Sequence, residues 1–140
     1  MNRKIIKENV GKLNLFIINY SVYIAFIFFI LDIILKNIFY KNELFYLRNF
    51  GISFGLLPNI NWLIINSVLI LIIMFLWIYF NDLKTPLFFI IVGGMGNILD
   101  RIIYGFVIDY IPFILTYINL SDVIISLGLI SYILNSFFNN

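Results

Sequence analysis

Asp109 and Asp122 are acids set beside long apolar runs with no cation close to either in the sequence, and that combination could do chemistry. If the fold brings them together, two like charges in a poorly solvated site cannot both ionise, so they share one proton as a coupled pair. Such a pair is an acid–base dyad. The ionised carboxylate takes a proton from water, the protonated one donates to a carbonyl oxygen, and an amide is hydrolysed without a covalent intermediate. Missing residue types narrow the alternatives: with no Cys and no His, the chain cannot assemble a thiol protease, a serine–histidine triad or a typical zinc site. The dyad calls for no metal and no organic cofactor.

Other polar residues sit where they could support such a pair. In "GGMGNILDRIIYGFVIDYI", residues 93–111, Asn97, Asp100 and Arg101 stand at i, i+3 and i+4, on one face of a helix and able to brace one another. Asp100 with Arg101 reads as a structural clamp. Asp32 and Lys36 form an i, i+4 pair of the sort that settles a charged span end. Asn119 and Asp122 repeat the i, i+3 relation, with Asn119 placed as a helix N-cap. Gly93, Gly94 and Gly96 lack a phosphate-loop lysine and read as packing residues that admit a neighbouring helix.

The elements that must position these groups follow from composition. Of the 140 residues 63% are hydrophobic and 11% charged, and the mean hydropathy is +1.05, which excludes an ordinary soluble domain. Apolar runs at about 13–35, 62–80, 86–104 and 121–138 predict four transmembrane helices in a single domain spanning 1–140. The first run is too long for a signal-peptide core and lacks a small-x-small cleavage pattern, so it reads as a retained span. Trp and Tyr near the ends of the second fit an aromatic belt. Four spans put both termini on one side, and Arg3, Lys4, Lys7 and Lys12 make that side cytoplasmic. The formal net charge of +2 comes largely from this cluster, with no basic groove for nucleic acid.

The inner connection, "NDLKT" at 81–85, only turns the chain, so function belongs to the two outer ones. Residues 40–60 mix aromatics, glycines and polar groups without helical period and predict a small strand-and-turn layer. Residues 102–120, aromatic and aliphatic and including Pro112, predict a segment lying in the membrane interface. The expected fold is therefore an all-α membrane protein of four helices with a small extracytoplasmic β-strand layer and that interfacial segment. Two other classes share the composition. An ion-coupled carrier would need acids near the bilayer midplane or broken helices; a structural subunit would use its glycine-lined faces to bind partner helices.

The motifs "LDIILK" at 31–36, "NFGISFG" at 49–55, the 93–111 stretch and "NLSD" at 119–122, in this order and over most of the chain, resemble those of the lipoprotein signal peptidases, or type II signal peptidases. The resemblance implies a bacterial inner-membrane aspartic endopeptidase with an interfacial helical segment in 102–120, acting near the extracytoplasmic face as a monomer that cuts before a lipid-modified cysteine. Its implied partners are diacylglyceryl-modified prolipoproteins, membrane lipid and inhibitors of the globomycin type. It makes Asp109 and Asp122 the catalytic pair, with Asn97, Asp100, Arg101 and Asn119 around them. Asn49 and Gly51 match the outer loop that lines the substrate groove, and Asp32 with Lys36 match the pair ending the first span. The family usually has Ala-Ala where this chain has Ile52 and Ser53, Phe for Ile118 and Ala for Ser121. These differences bear on substrate preference and inhibitor fit, not on the reaction.

Overall fold

The computed structural model describes residues 3–51, 61–80 and 84–139, with side chains from Tyr20 onward except at 62, 135 and 137–139. The 52–60 connection with Ile52 and Ser53, the inner turn at 81–83 and the side chains of Arg3, Lys4, Lys7 and Lys12 lie outside the described set. Four helices carry the fold: α1 (Arg3–Lys41), α2 (Trp62–Tyr79), α3 (Lys84–Ile103) and α4 (Leu120–Asn139). By length and composition, two segments are apolar enough to cross a membrane, Tyr20–Lys41 within α1 and Lys84–Ile103; the apolar parts of α2 and α4 are shorter.

The helices turn soluble-protein logic outward. Tyr23, Leu71, Phe75, Ile78 and Ile130 are exposed along their flanks, as suits helices bathed in lipid, while the interior holds Asp32, Lys36, Asp100, Asp109 and Asn119. A tight apolar cluster of Ala25, Phe89, Val92 and Ile124 ties α1, α3 and α4 together. Small residues allow the close α3–α4 crossing. A Cβ on Gly93 would come within 2.5 Å of the Ser121 carbonyl oxygen, and one on Gly96 would run into the Ser121 hydroxyl.

At one end of the bundle the chain becomes extended. Helix α3 stops at Gly105, whose φ of +81° is the left-handed conformation that glycine adopts freely, with its N–H on the Arg101 carbonyl oxygen. Three short strands follow: β2 (Val107–Asp109), β3 (Ile111–Phe113) and β4 (Thr116–Ile118). The helical segment expected between 102 and 120 is not there; a strand and a hairpin replace it. β-Branched and aromatic residues dominate "FVIDYIPFILTYI", and Pro112 withholds a backbone donor, so the stretch satisfies strand pairing better than a helix. Strand β2 pairs antiparallel with β1 (Leu47–Asn49), and β3 with β4. The turn of the hairpin holds Ile114 at φ +48° and exposes Ile114 and Leu115 almost completely. Under the strands lies a second apolar cluster, Phe106, Ile108 and Tyr110, packed on Leu35, Phe39 and Leu120.

Candidate functional site

The two aspartates arrive from different kinds of element. Asp109 ends β2, in the register Leu47↔Asp109, Arg48↔Ile108, Asn49↔Val107. Asn49 is thus a diagonal neighbour on the same strand face, and its amide donates to Asp109 Oδ2 at 2.9 Å. The Asn49 Oδ1 in turn accepts from the Gly51 N–H at 3.0 Å, which fixes the amide's orientation. Arg101 clasps the same turn by donating to the Gly51 carbonyl oxygen at 2.7 Å and to the Asn97 carbonyl oxygen at 3.0 Å.

Asp122 sits in the first turn of α4 and shares a reciprocal cap with Asn119. The Asp122 N–H donates to Asn119 Oδ1 at 3.0 Å, while the Asn119 N–H donates to Asp122 Oδ2 at 3.2 Å. The same Asn119 side chain donates from Nδ2 to Asp109 Oδ1 at 2.7 Å and to Asn97 Oδ1 at 3.1 Å. Asn97 then donates to Asp122 Oδ1 at 2.9 Å. One fully buried asparagine therefore touches both acids. A cavity of about 410 Å³ between α4 and the β3–β4 hairpin is lined by Asp109 and Asp122 together with Phe113, Tyr117, Val123 and Ile130. A second, of about 220 Å³, lies on the far side of Asp122 against Asn66, Ile70, Gly94 and Arg101.

Electrostatics favour a shared proton. Burial, and after it the charge of Asp122, pushes the Asp109 carboxyl up from 3.8 to about 7, against the amide donors of Asn49 and Asn119 that favour its ionised form. Asp109 is 1% exposed, so desolvation prevails over two neutral donors.

Beneath the pair lies an ionic core. Lys36 Nζ is 2.8 Å from Asp32 Oδ2 and 2.9 Å from Asp100 Oδ2, and donates to Asn97 Oδ1 at 3.4 Å. All three ammonium donors are thereby engaged. The expected clamp of Asp100 on Arg101 does not form: Asp100 turns inward to Lys36 and accepts the Ile108 N–H at 3.0 Å, while Arg101 turns to backbone carbonyls. Adjacent helical side chains diverge by roughly 100°, and a buried ammonium outcompetes a half-exposed guanidinium for the inward-facing acid. Asp32 also accepts from Tyr110 Oη at 2.8 Å, the Leu120 N–H at 3.0 Å and Ser121 Oγ at 2.6 Å.

The ten residues singled out in the sequence thus converge on one polar cluster. Tyr110 was not among them, although it directly follows Asp109; a hydroxyl in an otherwise apolar stretch was the available signal. Among the described residues no group of three or more His, Cys, Asp or Glu side chains is arranged to hold a metal ion.

A family model described as signal peptidase (SPase) II matches residues 24–138. The lipoprotein signal peptidase of Clostridioides difficile is 38% identical over 104 residues, covering 68% of each chain. That of Buchnera aphidicola is 32% identical, covering 86% of this chain and 97% of the relative, and that of Thermodesulfovibrio yellowstonii 30%, covering 95% and 96%. A solved structure of a bacterial membrane enzyme has the same fold, with a TM-score of 0.70 at 21% identity over 87% of this chain and 92% of that one.

Proposed function

Because the chain belongs to the signal peptidase II family, a family of proteases that remove signal peptides from prolipoproteins, we propose that Asp109 and Asp122 are its catalytic dyad and that it cuts before a diacylglyceryl-modified cysteine. The observation that carries this reading is Asn119: its Nδ2 donates to Asp109 while its backbone N–H and Oδ1 engage Asp122, holding two acids of different elements at one cavity.

In this reading water binds between the carboxyls. The ionised one removes a proton as the water oxygen bonds to the scissile carbonyl carbon, and the protonated one, Asp109, donates to the carbonyl oxygen. The tetrahedral diol then collapses: the C–N bond breaks, a proton passes to the leaving amine, and the dyad returns to sharing one proton. Asn97 and Asn119 hold the carboxylate oxygens, and Asn49, Gly51 and Arg101 hold the outer turn beside them. The apolar walls of the two cavities suit an extended segment with lipid-soluble flanks. Four spanning helices, cytoplasmic termini, an active site near the extracytoplasmic face, action as a monomer and binding of globomycin-type inhibitors belong to the same proposal.

Asp109 on a strand and Asp122 in the first helical turn do not favour the carrier reading, which needs acids near the bilayer midplane, broken helices or paired repeats. The test is cleavage of a diacylglyceryl-modified prolipoprotein peptide in detergent or bilayer by the wild type, Asp109→Asn and Asp122→Asn, each checked for folding by thermal melt. Activity in the wild type alone is the expected result. Undiminished cleavage by either folded variant would assign the chemistry to other groups.

A further inference from the structure

Each aspartate of the dyad has a hydroxyl-bearing neighbour in sequence, Tyr110 after Asp109 and Ser121 before Asp122. The two hydroxyls donate to the two oxygens of one carboxylate, Tyr110 Oη to Asp32 Oδ1 at 2.8 Å and Ser121 Oγ to Asp32 Oδ2 at 2.6 Å. Asp32 and Ser121 are fully buried and Tyr110 nearly so. We propose that Tyr110 and Ser121 are positioning residues that, through Asp32, set the spacing of the catalytic aspartates. This rests on the dyad reading of the site.

The geometry carries the inference because Asn119 joins the two acids directly, and Asp32 adds a second link to the elements behind them. Asp109 stands on a three-residue strand, and Asp122 on a helix reached through the hairpin. Asp32, on α1, is outside both and bonds to each. Its charge is matched by Lys36 on its own helix, which also faces Asp100 from α3. The phenol stays protonated, and so stays a donor, since burial and then the Asp32 charge hold Tyr110 well above its ordinary range. The Tyr110 ring, 5.0 Å from that of Phe39, fixes where its hydroxyl can point.

The hydroxyls can be removed without stranding the carboxylate. Oδ1 keeps the Leu120 N–H and Oδ2 keeps Lys36. Tyr110→Phe and Ser121→Ala therefore retain packing and a satisfied Asp32 while loosening the link. On the α4 side Leu120 remains as a second tie to Asp32, whereas on the Asp109 side Tyr110 is the residue bonded to Asp32 among the described residues. Tyr110→Phe should thus have the larger effect.

The experiment measures kcat, KM and the pH–rate profile of both variants and the double variant on the lipid-modified peptide, with thermal melts. Misplacement of reacting groups by a fraction of an ångström is expected to cost about tenfold in kcat for Tyr110→Phe and about threefold for Ser121→Ala, with KM within about twofold of wild type. The double variant should lose less than the product, since both act through Asp32. The alkaline limb should also move, because Asp109 titrates facing Asn49 on β1, Asn119 before α4, Asp122 on α4, Lys36 on α1 and Arg101 on α3, and its distance to them would change. Wild-type kcat and an unmoved limb in folded Tyr110→Phe overturn the proposal, as does a loss of rate fully explained by loss of folded protein. Should Tyr110→Phe fail to fold, Ser121→Ala is judged by the same criteria. A wild type that does not cleave counts against the peptidase reading alone. The clamp is then judged by infrared titration of the Asp109 carboxyl, identified by its absence in Asp109→Asn: a midpoint that moves when the hydroxyls are removed supports it, and an unmoved one overturns it.

Discussion

Raising the pH from 5 to 8 should weaken both the fold and the reaction through one carboxyl. Asp109 has an ordinary value of 3.8 and is pushed to about 7 by burial first and by Asp122 second. Between those values the folded protein keeps a proton that the unfolded chain has released, so it binds more protons and stability falls as pH rises. The whole gap is about 3 pH units at 1.36 kcal/mol each, a ceiling of about 4 kcal/mol, and the two units from pH 5 to about 7 that the assay covers account for about 2.7 kcal/mol of it. Activity follows a related course. Above about pH 7 Asp109 no longer holds the proton it donates, and kcat/KM should fall about tenfold per pH unit. Thermal melts from pH 5 to 8 on wild type and Asp109→Asn, with wild-type initial rates over the same range, test both parts. The amide of the variant does not titrate, so its melt should lose most of the wild-type slope. A wild-type melting temperature that is level or climbs from pH 5 to 8, or an Asn variant that keeps the full slope, would refute the reasoning.

Lys36→Met leaves Asp32 and Asp100 buried without their shared cation, and should cost about 3–5 kcal/mol in a denaturant or thermal titration. Asn119→Ala removes both the cap of α4 and the bridge between the acids. It should destabilise by about 1 kcal/mol while lowering kcat at least a hundredfold, a split between melt and rate that a merely structural residue would not give. Gly93→Ala places a methyl against the Ser121 backbone oxygen, which cannot rotate away, and should cost about 1–3 kcal/mol by thermal melt. Activity of the wild type should survive chelators such as EDTA, measured by the same peptide assay, since the proposed dyad calls on no metal to activate water.

The polar residues were legible because charge is rare here, so each one in an apolar segment demands a reason. The i, i+4 spacing of Asp32 and Lys36 announced their pairing, and Asn119 announced its cap. Local spacing could not reveal that Asp100 leaves its neighbour Arg101 for Lys36, because that choice depends on how α1 and α3 are rotated against each other. The stretch after Gly105 is extended, where the resemblance implied an interfacial helix. Strand pairing with β1, made at a separation of about 60 residues, decides it, and no local period reports that. Tyr110 was overlooked for the same reason: its hydroxyl acquires meaning only from Asp32, far away in the chain.

The ionic core also bears on biogenesis. Asp32 and Lys36 lie on the same helix, so α1 can neutralise its own charges before any later helix has been made. At about 5–20 residues per second, the ribosome reaches Asp100, 64 residues beyond Lys36 in the sequence, some 3–13 s later. Until then the ammonium needs no second acid, and the first helix can leave the translocon with this acid and base already paired. When α3 emerges, Asp100 meets a cation already in place, and the order of synthesis becomes the order in which the interior is charged and balanced.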